Sequence, residues 1–224
     1  MTVHILTLFP EVFEGVFSKS ILKRALDKRI LTINLVNIRE YAKGRHKQVD
    51  DKTYGGGKGM VMMLEPIVSA LNTIQPKPYT ILLTASGQKF TQKKSKLYSK
   101  KKNLAIICGH YEGIDARVEN FTDEVVSVGD FISTGGEIPA MLIIDSTVRL
   151  LPGVINPHSP LDESFERGLL EYPQYTRPRL YKGLKVPHVL LSGNHKEINN
   201  WRKKESFKRT KKYRPELLLK SKAS

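Results

Sequence analysis

The sequence predicts an α/β protein: a mainly parallel sheet with helices on both faces, followed by a small, basic, helical domain. Three observations carry that expectation. Through residues 1–151, short β-rich or continuously apolar runs alternate with helical stripes, the rhythm that βαβ units produce. The innermost runs hold consecutive apolar residues without polar alternation, as suits strands covered on both faces. The charge is also lopsided. The 224 residues carry a formal net charge of +15, and Glu171 to Ser224 alone hold 15 Lys+Arg against 4 Asp+Glu.

The elements follow in order. TVHILTLF (2–9) is a β-rich run. SKSILKRALDKR (18–29) sets Ile21, Leu22, Ala25 and Leu26 on one stripe behind Ser18, which reads as a cap. LTINLVNI (31–38) alternates as a strand, and residues 39–59 form a long polar loop ending in the glycines of YGGGKGM (54–60). EPIVSALNTI (65–74) is a helix with Pro66 in its first turn. TILLTA (80–85) and NLAIICG (103–109) are the continuous apolar strands, joined by the lysine-rich helix KKSKLYSKKK (93–102). DEVVSV (123–128) is a fifth strand and IPAMLIIDSTVRLL (138–151) a buried helix. PGVINPHSPLDES then changes texture, giving a domain over 1–151, a flexible linker over 152–163 and a basic helical domain over 164–224. In the last, Asn194 with Glu197 three residues on has capping-box spacing. Ile198 and Trp201 begin an apolar stripe, so Trp201 reads as core.

Several functions are excluded. With Cys108 as the one cysteine, no internal disulfide forms and a reducing compartment is expected. Cys108 reads as a buried strand-end residue without an activating base. VHILTLF is too short to span a membrane and lacks the flanks of a signal peptide. The positive field attracts polyanions, nucleic acid first. Phosphate-loop, dinucleotide and serine-elbow patterns are absent, and the six histidines are scattered without metal-ligand spacing. What stands out is three glycine-bearing loops that follow strands: TASGQ (84–88), CGHYEGID (108–115) and SVGDFISTGGE (127–137). Open parallel sheets bind ligands beyond the C-terminal ends of their strands, so these loops are expected to build one pocket. Glycine there lets a ligand approach free backbone groups.

A resemblance extends this reading. LFPEVF (8–13), VDDKTYGGGKGMVMM (49–63), CGHYEGIDARV (108–118), SVGDFISTGGEIPAM (127–141), DSTVRLLPGV (145–154), ESFERGLLEYPQYTRP (163–178) and VLLSGNH (189–195) stand in order over nearly the whole chain. Together with NHKEINNWRKKES (194–206) they resemble the bacterial tRNA (guanine-37-N1)-methyltransferase family of the SPOUT class. The resemblance implies a C-terminal trefoil knot in the sheet domain that forms the cofactor pocket. It implies S-adenosylmethionine as methyl donor, tRNA with G at position 37 as substrate, Mg²⁺, a homodimer, a cytoplasmic setting and no membrane. By the same resemblance, Gly109, Tyr111 and Glu112 wrap the donor together with Val128, Gly129, Asp130, Phe131, Ile132 and Ser133. Gly135, Gly136 and Pro139 close the wall, and no side chains are assigned to a metal. Arg45, His46 and Asp50, with Asn194, His195 and Arg202, are implied to face the tRNA.

The chemistry needs a particular pair of side chains. N1 of guanine carries a proton that must leave as negative charge builds toward O6, which suits a carboxylate base beside a cation. By resemblance the cation is Arg149, the arginine of DSTVR. The family has Asp immediately before Ser-Phe, where this chain has Glu163, preceded by Asp162. Alignment favours Glu163 and residue identity favours Asp162; both remain candidates for the base. Two other classes fit the residues: a SPOUT enzyme acting on a ribose hydroxyl or an rRNA base, and an RNA-binding module without catalysis.

Overall fold

A computed structural model describes residues 1–157, 163–166 and 168–220; Asp162 lies outside them. The chain divides into two compact units, Met1–Asn156 and Pro157–Ser224.

The first unit begins with β1 (Thr2–Thr7), a one-turn helix α1 (Glu14–Phe17), α2 (Ser20–Asp27) and β2 (Thr32–Asn37). The expected serine cap is displaced. Ser18 closes α1, its Oγ donating to the Gly15 carbonyl, and α2 starts after Lys19 with no side-chain cap. The polar stretch 39–59 is not wholly loop: β3 (Asp50–Asp51) pairs antiparallel with β4 (Val61–Met62), and Val49 is buried beneath it. Next come α3 (Leu64–Asn72), β5 (Tyr79–Lys89), α4 (Gln92–Tyr98), β6 (Asn103–Ile107), β7 (Glu124–Ser127) and α5 (Glu137–Val148). Helix α5 stops at Val148 and leaves Arg149 as its C-cap.

Five strands form one parallel sheet in the order β2-β1-β6-β5-β7. Side chains alternate across it, as strand geometry demands. Leu104, Ile106 and Cys108 join Leu22 of α2, Tyr98 of α4 and Ile143 of α5 on one face. Ala105 and Ile107 meet Ile67 and Ala70 of α3 on the other. Helices therefore cover both faces, and the unbroken apolar runs are strands buried on both sides. A partly buried polar cluster pins α4: the Tyr98 hydroxyl donates to Glu124 Oε2 over 2.6 Å, and Lys94 pairs with Glu124 Oε1.

One expected loop is instead strand. β5 continues through TASGQ to Lys89 by means of a wide bulge, with Leu83 and Gln88 both opposite Val126. Gly87 explains how. A Cβ there would sit 2.6 Å from Val126 Cα, so the strand can close only around a glycine. Its lack of a side chain serves strand packing, not ligand approach.

The second unit is more than helices. A two-residue-per-strand hairpin, β8 (Leu180–Tyr181) with β9 (Leu184–Lys185), precedes α6 (His195–Tyr213) and α7 (Glu216–Lys220). Asn194 caps α6, its Oδ1 accepting from the Lys196 and Glu197 amides. The expected capping box is only half formed, because the Asn194 amide donates to Ser192 Oγ rather than to Glu197. α6 is anchored by polar groups. Ser206 Oγ donates to the Leu170 carbonyl over 2.6 Å, and Thr210 Oγ1 accepts from the Leu170 amide over 2.9 Å. Trp201 is only half-buried, with its ring centroid 6.2 Å from that of Tyr175.

Candidate active site

β5, β6 and β7 are neighbours in the sheet, so the segments beyond their C-terminal ends converge. They line a cavity of about 220 Å³. The β5 bulge supplies Thr84 and Ala85, the segment after β6 supplies Gly109–Ala116, and the segment after β7 supplies Val128, Gly129 and Phe131–Gly136, with Pro139 of α5 closing the side. The structure thus brings together eleven of the twelve residues assigned to the donor: Gly109, Tyr111, Glu112, Val128, Gly129, Phe131, Ile132, Ser133, Gly135, Gly136 and Pro139. It does not bring Asp130 to the wall. That side chain is 87% exposed and pairs with Lys89 at 2.7 Å.

Backbone approach shapes the floor. The Gly136 amide donates to the Gly109 carbonyl over 2.7 Å. A Cβ on Gly136 would lie 2.7 Å from both Cys108 Cα and the Gly109 nitrogen, closer than real side chains come. Residues 110–115 are held from the other side by residues 59–63. The Glu112 amide donates to the Met60 carbonyl, the Met62 amide to the Gly113 carbonyl and the Asp115 amide to the Met62 carbonyl. Sequence reasoning took the 54–60 glycines as the end of a polar loop and missed this bracing role; Gly59 gives way to the Glu112 side chain packed against it.

Beneath the cavity lies a group that sequence reasoning also missed. Glu137, the first residue of α5, is buried, and its Oε1 accepts from Thr7 Oγ1 over 2.7 Å. A carboxylate suits the positive end of a helix dipole. Its Oε2 stands 3.9 Å from His110 Nδ1, which is buried and has no hydrogen-bond partner among the described residues. The His110 ring packs between Phe9 and Tyr111, with centroids at 4.7 and 5.1 Å. Burial, reinforced by Glu137, pushes the Cys108 thiol well above its usual range, so it is protonated and inert at neutral pH.

The electrostatics of the cavity oppose those of the chain. Its lining includes Glu112, Asp115 and Glu119 and not one Lys or Arg, in a protein of net charge +15. Asp115 is partly answered by Arg117, which contacts it through Nε and Nη2 at 2.9 and 2.6 Å and holds its carboxyl below the usual range. Such a wall repels phosphate and accepts a cation. Its residues fit S-adenosylmethionine on that ground: carboxylates for a positively charged donor, Leu83, Val128, Ile132 and Pro139 for an aromatic base, and glycine backbone between them.

The remaining candidates are dispersed. Arg149 follows α5 at its C-terminal end, where a cation also complements the helix dipole. Glu163 belongs to the second unit, where it lines a separate cavity with Arg202. Arg45 and His46 are exposed in the first unit, and Asp50 lies in β3. His195 is exposed at the start of α6, after the capping Asn194. Among the described residues, no group of three or more His, Cys, Asp or Glu side chains could hold a metal ion.

Comparison with known proteins agrees with this geometry. Residues 1–220 match the family profile described as tRNA (Guanine-1)-methyltransferase TrmD. The chain is 55% identical to a tRNA (guanine-N(1)-)-methyltransferase of Carboxydothermus hydrogenoformans, over 97% of this chain and 87% of the relative. It is 52% identical to the protein of that name from Bacillus pumilus, over 97% and 92%. A Geobacillus kaustophilus relative of the same name is 53% identical, over 97% and 91%. With a profile match along almost its whole length and relatives above half identity, this chain belongs to the tRNA (guanine-N1)-methyltransferase family.

Proposed function

We propose that this protein, a tRNA guanine-N1 methyltransferase, modifies the guanine at position 37, beside the anticodon, and works as a cytoplasmic homodimer. The family match and the acidic cavity in a basic protein carry the methyltransferase reading. Position 37 rests on the resemblance of the eight motifs. When bound, S-adenosylmethionine supplies a methyl group on a positively charged sulfur. The chain's part is to hold that donor between the 109–112 and 128–136 segments, and Glu112 and Glu119 favour its charge. The trefoil knot rests on the resemblance, and the Gly136–Gly109 hydrogen bond, which ties the two segments to each other, supports it. An acid at 163 or 162 takes the N1 proton, while Arg149 opposes the negative charge growing at O6.

The basic C-terminal unit, residues 164–224, is proposed to grip the tRNA backbone, with Asn194, His195 and Arg202 from that unit and Arg45, His46 and Asp50 from the first. Unpaired anticodon-loop bases are open to such reading at modest cost. Dimerisation is supported by α5. Its sequence is apolar nearly all round, which calls for burial on every side, yet Ile138 and Leu142, one turn apart, are 65% and 47% exposed. A second copy would cover them. No helix among the described residues is long and apolar enough to cross a membrane. The cytoplasmic setting rests on the tRNA substrate and the single reduced cysteine. Mg²⁺ rests on the resemblance alone.

Methyl transfer to tRNA transcripts with G or A at position 37 tests the proposal. Wild type should modify only the G transcript. Arg149→Ala and whichever of Glu163→Ala and Asp162→Ala removes the base should lower kcat roughly 10²- to 10⁴-fold. Donor binding by calorimetry should stay intact in all three. Absence of donor binding in wild type, or full activity in the triple variant, refutes it.

A further inference from the structure

The proposed function leaves unused the polar chain beneath the donor cavity. It begins at the Phe9 amide, which donates to Thr7 Oγ1 over 3.0 Å. The Thr7 hydroxyl in turn donates to Glu137 Oε1 over 2.7 Å. Glu137 Oε2 then stands 3.9 Å from His110 Nδ1, a buried nitrogen without a hydrogen-bond partner among the described residues. A buried polar atom left unpaired is costly, and a buried carboxylate needs donors. The two needs face each other about 1 Å beyond hydrogen-bond reach. Gly135 keeps the gap open. A Cβ there would lie 2.7 Å from His110 Nδ1 and closer still to Glu137 Oε2.

The place of the ring proton follows. An ionised carboxylate only accepts, so Glu137 holds the proton on Nδ1 and leaves Nε2 with its lone pair. Nε2 lies on the open part of the ring: the His110 side chain is 26% exposed and lines the donor cavity, while Nδ1 is sealed beneath it. That cavity carries Glu112, Asp115 and Glu119 and no Lys or Arg. A ring N–H turned into it would oppose a cation. A lone pair backed by a buried carboxylate attracts one.

We infer that Glu137 is a positioning residue which, anchored by Thr7, fixes the tautomer of His110 so that Nε2 takes a positively charged group of the methyl donor. The inference deepens the methyltransferase reading and rests on its donor cavity. Two groups of S-adenosylmethionine have the required charge, the sulfonium and the α-ammonium, and a ligand series separates them.

The first test is spectroscopic and uses the full chain with heavy nitrogen in its histidines. His110, assigned by the signal lost in His110→Phe, should carry its proton on Nδ1 with and without S-adenosylmethionine. Glu137→Met, similar in size but without the acceptor, should move that proton toward Nε2. Calorimetry then compares S-adenosylmethionine with S-adenosylhomocysteine, which lacks the sulfonium, and with methylthioadenosine, which lacks both cations. His110→Phe keeps a ring between Phe9 and Tyr111 and removes both nitrogens. It and Glu137→Met should each weaken S-adenosylmethionine roughly tenfold. Methylthioadenosine should bind both variants as it binds wild type, which also shows that their cavity is folded. Native emission from Trp201, the sole tryptophan of the chain, shows the same for the second unit. An equal loss for S-adenosylhomocysteine assigns Nε2 to the ammonium, and no loss assigns it to the sulfonium. A proton on Nε2 in wild type, one that stays on Nδ1 in Glu137→Met, or unchanged S-adenosylmethionine binding in both variants overturns the inference. So does equal weakening of all three ligands, which is what lost packing alone would do. Wild type that binds none of the three refutes the donor cavity itself; binding with equal losses refutes only the role of Glu137 and His110.

Discussion

Between Met1 and Asn156 the chain buries Phe13, Tyr98 and two layers of isoleucine and leucine on either side of a parallel sheet. In the second unit, by contrast, the one fully buried described side chain is Thr210, a polar one. Its anchors are hydrogen bonds from Ser206 and Thr210 to Leu170, and Arg202 laid on Tyr172. A unit that directs most of its Lys and Arg outward has few apolar side chains left to bury. The difference teaches how the chain divides its work. A dense apolar core can carry close-packed, glycine-dependent loops around a cofactor. A thin unit pinned by polar contacts keeps most of its basic side chains on its surface.

The comparison breaks or sharpens under three substitutions. The largest effect is expected from Gly136→Ala, where the new methyl group meets the Cys108 and Gly109 backbone. Overpacking of this kind costs on the order of 1–3 kcal/mol, and it should abolish donor binding by calorimetry while Trp201 emission stays native. If the donor still binds normally, the packed floor is not what shapes the cavity. Next is Thr210→Val, which keeps the shape but leaves the Leu170 amide unpaired. A loss of about 1–3 kcal/mol should appear in the Trp201-monitored unfolding transition, with donor binding retained. Loss of donor binding instead would show that the two units do not divide their roles as argued. The smallest is Asn194→Ala, which removes the α6 cap at a cost of about 1 kcal/mol. It should lower the midpoint of that same transition, and an unchanged midpoint would mean that the Ser192 turn, not the Asn194 side chain, starts the helix.

Much of this was legible in the chain. Continuous apolar runs at 80–85 and 103–109 became β5 and β6, buried on both faces, because a strand with no polar alternation has no face to give to water. Two of the three loops grouped by their place after strands line one cavity, joined only by Thr84 and Ala85 from the third stretch, which is strand, since adjacent parallel strands deliver their C-terminal ends to one edge. Other features were illegible for definite reasons. Gly87 looked like a residue opened for ligand approach, but its requirement is set by Val126, 39 positions away in sequence. Ser18 had the residue type of a cap, yet a preceding one-turn helix claimed it. Asp130 sat in the right motif, but a lysine on β5 drew its side chain outward. The hairpin β8–β9 left no signal beyond YKGL, as two residues per strand give no periodicity to read.

Sequence alone determined the class of fold, the order of the five main-sheet strands and the principal helices between them, the motifs of the family and the concentration of positive charge toward the C-terminus. These are properties of neighbours along the chain: alternation, propensity, spacing and count. Only the tertiary structure decided that a protein of net charge +15 would wall its cavity with carboxylates and no Lys or Arg, and that Glu137 would lie buried against Thr7, 130 positions away. Those are matters of approach between distant segments, fixed when the sheet closes and the loops beyond it are forced together, and no local pattern encodes them.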